Sequence, residues 1–233
     1  MDHAILTLEG VRKKHGSLLL LDAVELSLAP GTVTALLGTH GSGKTTLLQL
    51  AAGLVSPSGG QISVLGGSPQ SAAARAAVAY LPPVSALPAH LTVAELSRLY
   101  GTMFSDFDME KATALLGELR VKTDKRIGTM SRTTREKVQL VLTLSRRARL
   151  YLLDTPVSGT PAAKEFAVRL IREVKREDCA VLIAADDPSD VEELSDAFLI
   201  LSGGKVLLSG DTNAYREENG ITLAEGYGRM TSC

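Results

Sequence analysis

The chain has 233 residues, 45% of them apolar, with 25 Lys and Arg set against 26 Asp and Glu for a formal net charge of -1. That length fits one α/β domain with room for an inserted subdomain, and the apolar share is enough for a sizeable core, which excludes a disordered chain. The near-neutral balance lacks the basic excess of a general nucleic-acid binder, so no nucleic-acid partner is expected.

Cys179 and Cys233 lie far apart and read as one buried thiol and one loose terminal one, with no disulfide framework or metal set. The opening MDHAILTLEG has no apolar h-region. No run reaches the roughly 18 apolar residues that a membrane span needs. The expectation is a soluble, cytoplasmic chain that remains able to dock onto a membrane protein.

Residues 4–9 read as a first strand, and Ser17 to Leu21 with the alternating Val24, Leu26 and Leu28 as further strand-like segments. After the Pro30-Gly31 turn, Val33 to Leu37 is a short apolar strand ending at Gly38. Residues 45–52 read as a helix stopped by Gly53, and Ile62, Val64 and Leu65 as another strand. Beyond Pro88 the character changes, with helical patterns over 92–101, 108–119 and 134–147. The cluster Arg146, Arg147, Arg149 reads as a solvated helix end. Leu150 to Leu153 is a short strand closed by Asp154, 162–177 a helix, and Ala180 to Ala184 a buried strand. A helix near 188–196 then precedes a hairpin from 197–201 and 205–208 around Gly203-Gly204, and 211–233 reads as a short polar tail. Strands alternating with helices indicate an α/β fold with a largely parallel sheet, and 88–147 reads as an inserted helical subdomain of a single domain spanning 1–233.

The pattern G-x-x-x-x-G-K-[ST] is met at Gly38, Thr39, His40, Gly41, Ser42, Gly43, Lys44 and Thr45, with a strand before it and a helix after it. Glycines let backbone N–H groups converge on phosphate oxygens, and the helix N-terminus favours negative charge. Lys44 is expected to reach the β and γ phosphates, the Thr45 hydroxyl to ligate Mg2+, and Thr46 to continue the cradle. Asp154, ending an apolar strand, is the expected second metal ligand with Thr45. ATP and Mg2+ are therefore the expected cofactors.

With these motifs the chain resembles the ATP-binding subunit of an ABC transporter over residues 4–210. The resemblance implies a P-loop NTPase with a RecA-like core, a small antiparallel β subdomain and a helical subdomain. It implies head-to-tail dimers, as homodimer or heterodimer, and attachment to a multi-span membrane subunit at the inner face of the cell membrane. The segments Phe104 to Asp108 and Lys125 to Ser131 look like exporters of the ABC-2 kind. His15 falls where the family stacks an aromatic residue on adenine, and Ser131 where its signature contacts nucleotide across the dimer.

Other landmarks depart from the family. Pro83 stands where a glutamine is usual, and its ring offers neither a side-chain oxygen nor a backbone N–H. The signature reads Met130-Ser131-Arg132-Thr133-Thr134, with Arg132 and Thr133 in place of glycines. Thr155 replaces the catalytic glutamate after Asp154, and a hydroxyl is a poor general base. Asp186 replaces the switch histidine and brings an anion towards the γ phosphate. The expectation is an ATP-binding subunit with weak or absent hydrolysis. A non-catalytic regulatory or scaffold protein, and an active transport ATPase with compensating residues, are the alternatives.

Overall fold

The computed structural model describes residues 4–157 and 159–231. Its chain runs β1 (Leu6–His15), β2 (Leu18–Leu28), β3 (Val33–Leu37), α1 (Lys44–Ala51), β4 (Gly59–Val64), α2 (Ala72–Ala77) and β5 (Val78–Leu81). Three helices follow, α3 (Val93–Met103), α4 (Met109–Glu118) and α5 (Arg132–Leu144). The chain then returns through β6 (Leu150–Asp154), α6 (Pro161–Val174), β7 (Ala180–Ala185), β8 (Ala197–Ser202), β9 (Lys205–Asp211), α7 (Thr212–Asn219) and α8 (Leu223–Thr231).

The central sheet has the order β5-β6-β7-β3-β8-β9, parallel except for the last pair, and a three-stranded antiparallel sheet β2-β1-β4 lies beside it. The inner strands are buried on both faces, which is why they read as unbroken apolar runs. Alternate residues serve opposite layers. Ala35, Leu37, Tyr151, Leu153 and Ile183 face a core shared with α3 to α6, while Leu36, Leu152 and Leu182 face α1 and the small sheet.

Helices α3, α4 and α6 start at sequence-encoded caps. Thr92 and Glu95 form a capping box, and Asp108 and Thr160 accept from Lys111 N and Ala163 N. Each such cap contributes about 1 kcal/mol.

Two sequence expectations are corrected, and two stretches gain elements not read from the sequence. The segment 188–196 is not a helix but two single 3-10 turns, Pro188–Asp190 and Glu192–Leu194. Asp187 accepts from Ser189 N and diverts the backbone from α-helical bonding. The tail read as short and polar holds two helices: α7 and α8 dock, burying Thr212, Leu223 and Tyr227. Arg146 is not solvated. It is buried, pairs through Nε with Asp106 Oδ1 at 2.9 Å, donates to the carbonyls of Val78 and Ala76, and lies 3.8 Å over the Phe104 ring. Arg147 and Arg149 are exposed, as expected of that cluster. Finally, α2 and β5 occupy a stretch for which no elements are expected from the sequence.

Candidate phosphate-binding site

β3 ends at Leu37, and the next six residues turn the chain into α1. The residue before that helix, Gly43, has φ 109° and offers no side-chain cap, and the first turn carries no acidic residue. A Cβ on Gly43 would lie 2.7 Å from Leu21 Cδ2 and 3.0 Å from the Leu20 carbonyl, so the turn requires glycine twice over. The orphan N–H groups of the first turn are left for an anion.

Lys44 is buried at 7% exposure and turns back across this loop. Its Nζ donates to the carbonyls of Gly38 at 2.7 Å and Thr39 at 3.1 Å, and pairs with Asp186 Oδ1 at 2.8 Å. Asp186 arrives there because β7 runs parallel beside β3, with Leu37 opposite Ala185. The residues following that matched pair, Gly38 and Asp186, both serve the same ammonium.

Asp154 ends β6, the next strand along, and is 3% exposed. Burial pushes its carboxyl pKa up, against hydrogen bonds from Thr45 and Thr155 and the charge of Lys44; the charge of Asp186 pushes it further up. Its Oδ1 accepts from Thr155 Oγ1 at 3.2 Å, whereas Oδ2 is buried without a hydrogen-bond partner, as is Ser42 Oγ in the loop. A buried carboxylate oxygen left unsatisfied beside a threonine hydroxyl is an arrangement that a hard, oxygen-seeking cation satisfies. The residues present therefore fit Mg2+. Behind them, burial first and the Asp154 charge second push the Tyr80 hydroxyl up to about 12, against a hydrogen bond with Gln49 that lowers it.

These groups open into a cavity of about 820 Å³, within the range of small-molecule sites. Gly41, Gly43, Lys44, Thr45 and Thr46 form one wall with His40; Asp154, Thr155 and Asp186 form the floor; Pro82, Pro83 and the start of α5 form the far side. Gln139, to which the sequence reading assigns no role, also lines it and accepts from Ala86 N at 3.0 Å, tying the loop after Pro83 to α5. Its signal is a lone amide inside the apolar run Val138 to Leu142.

His15, Ser131, Arg132 and Thr155 are placed as follows. His15 ends β1 opposite Leu18, is exposed, and is not among the residues lining this cavity. Ser131 caps α5 by accepting from Thr134 N at 3.2 Å, and shares a hydrogen bond of 2.9 Å with the Thr134 hydroxyl. Arg132 lines the cavity, with its Nε 2.7 Å from Glu136 Oε1. Thr155 adopts φ 54°, a left-handed conformation uncommon for a β-branched residue, and bonds Asp154.

The sequence model of the family described as "ABC transporter" matches residues 21–158. Nod factor export ATP-binding protein I of Rhizobium johnstonii is 28% identical over 230 residues, covering 95% of this chain and 74% of that protein. Ribose import ATP-binding protein RbsA 2 of the same organism is 32% identical over 222 residues, covering 89% of this chain but 43% of that protein. Among solved structures, one described as the ATP binding subunit of an ABC transporter superposes with a TM-score of 0.89 at 25% identity, covering 98% of this chain and all of that one.

Proposed function

The chain belongs to the ABC transporter family, and on that premise we propose that it is an ATP-binding subunit of a membrane transporter that holds Mg-ATP but turns it over weakly. The observation that carries this reading is the unsatisfied, buried Asp154 Oδ2 beside Thr45 and Lys44. Lys44 and the first-turn N–H groups of α1 bind and orient phosphate; Thr45 and Asp154 are the residues that would hold Mg2+. When bound, that ion supplies charge neutralisation on the β and γ phosphate oxygens.

Weak turnover is supported by what surrounds this set. The Thr155 hydroxyl, at the position that would hold the general base, is engaged with Asp154. Pro83 brings no donor or acceptor side chain to the far wall. Asp186 presents a carboxylate to Lys44, where the family presents an imidazole. Loss of a general base alone removes on the order of 10²–10⁴ in rate.

The membrane partner is a multi-span subunit, and its seat is the groove of about 480 Å³ between α1, β5 and α3. Leu54 and Met103 line this groove at 60% and 63% exposure, an apolar pair suited to a cytoplasmic helix of that subunit.

Calorimetry and phosphate release on the purified chain test the nucleotide reading. Lys44→Ala should abolish most Mg-ATP affinity with the fold intact, and the parent should release negligible phosphate at saturation. A parent kcat of about 1 s⁻¹ or more, abolished by Lys44→Ala, would overturn the weak-turnover reading. Equal ATP affinity in parent and variant would remove Lys44 from the site.

A further inference from the structure

Lys44 Nζ has three close partners: it donates to the carbonyls of Gly38 and Thr39 and forms an ion pair with Asp186 Oδ1. The first two belong to the phosphate loop and follow from its path. The third belongs to a side chain on another strand, and it alone can leave without disturbing the loop. It is also the only anion of the three. In a phosphate cradle the lysine meets the outer phosphates of a nucleotide. Here an internal carboxylate is already bound to it.

Resting on the nucleotide reading above, we propose that Asp186 is a specificity-determining residue that makes this cradle select nucleoside diphosphates over triphosphates. A diphosphate brings only its β phosphate to the loop N–H groups, the helix N-terminus and Lys44, so a single phosphate group shares the ammonium with Asp186. A triphosphate brings one more phosphate to the same ammonium. It must displace the Asp186 carboxylate and then sit between it and Asp154, which lines the same floor.

The mounting of Asp186 decides how strong the preference is. Its backbone is anchored: the neighbouring Asp187 caps the turn 188–190 through Ser189 N at 2.9 Å, and Asp190 is held by Lys164 Nζ at 2.5 Å. Its side chain, 57% exposed, is free to swing into water once displaced. Triphosphate binding is thus penalised and not blocked, and a selectivity of about one order of magnitude follows.

The test is calorimetric titration with Mg-ADP and Mg-ATP of the parent, Asp186→Asn and Asp186→His. The parent should bind Mg-ADP about tenfold tighter than Mg-ATP, equal to about 1.4 kcal/mol. Both substitutions should erase that ratio, chiefly by tightening Mg-ATP. A parent that binds Mg-ATP as tightly as Mg-ADP overturns the proposal, as does a ratio unchanged in both variants. Because the ratio in the parent is itself decisive, the proposal does not depend on either variant folding. Binding of neither nucleotide, with Lys44→Ala indistinguishable from the parent, overturns the nucleotide reading and this proposal together. Binding of both without preference overturns this proposal only.

Discussion

Thr155 sits at φ 54° at the end of β6, its N–H donating to the Ala184 carbonyl at 3.0 Å and its hydroxyl donating to Asp154. A β-branched residue held in the left-handed region costs on the order of 1–3 kcal/mol. Thr155→Gly should therefore stabilise the protein by about 1 kcal/mol in urea denaturation, whereas Thr155→Glu inherits the same backbone and should restore little phosphate release. A glutamate variant that turns ATP over at about 1 s⁻¹ would show that the missing base was the sole defect. At this scale the meeting of Lys44, Thr45 and Asp154 at one cavity is legible, because the motif is contiguous and Asp154 closes an apolar run. Asp186 was legible as an anion in the wrong place. Its pairing with Lys44 was not, since that contact exists only once β3 and β7 are known to be parallel neighbours in register. Gln139 belongs to no motif, because one amide inside the apolar run Val138 to Leu142 fixes no chemistry by itself.

Among the elements, strands with unbroken apolar runs and helices with caps could be read directly, and α7 and α8 could not. The last helix contains Gly226 and Gly228, each about 1 kcal/mol worse than alanine in a helix interior. Gly226 answers to packing, since a Cβ there would lie 2.1 Å from the Tyr215 hydroxyl of α7, whereas a Cβ on Gly228 would meet nothing within 4 Å. Tertiary contact overrides propensity here, centred on one carboxylate. Glu192 accepts from Leu223 N at 2.8 Å, Ala224 N at 3.1 Å and Arg216 Nε at 2.7 Å. Burial alone would raise its pKa, but the Leu223 N–H, Arg216 and the Ala224 N–H together hold it below the ordinary 4.5. A depressed carboxylate stabilises the fold above its unfolded pKa, and that contribution is lost as pH falls through the lower folded value. The α7–α8 pair should accordingly loosen in acid, below about pH 4. Glu192→Ala, which leaves buried N–H groups unpaired, should cost about 1–3 kcal/mol at pH 7. Thermal melts of parent and variant across pH 3–7 check both: the gap between them should close at the acid end, and a constant gap would count against this account.

For the whole molecule, alternation of strands and helices indicates the largely parallel α/β sheet, and the P-loop architecture comes from the phosphate motif and the resemblance it carries; the solved relative superposes over nearly the full chain. What could not be read was which surfaces meet. Arg146 looked like part of a basic surface cluster and instead joins Asp106 to the end of α2 and the start of β5 beneath the groove proposed for the membrane subunit. If that groove is the seat, photo-crosslinkers at Leu54 and Met103 should trap the membrane subunit in co-expressed preparations. One at Leu207, equally apolar and 52% exposed on β9, should not. Crosslinks from Leu207 alone would move the interface to the opposite edge.

The helix α8 packs against the turn 188–190, two residues beyond Asp186, while Glu192 just past that turn grips the start of the same helix. The carboxylate resting on the phosphate-loop lysine is thus mounted on a bracket bolted to the chain's final helix. Tension applied at the C-terminus, by a tether or by a binding protein, would be transmitted to the phosphate loop as a change in the stiffness of that bracket. Removal of residues 212–233 should therefore speed amide exchange across 186–192 by at least about tenfold while leaving β3 and β6 protected. Equal exchange in both forms would mean that the bracket stands without its bolt.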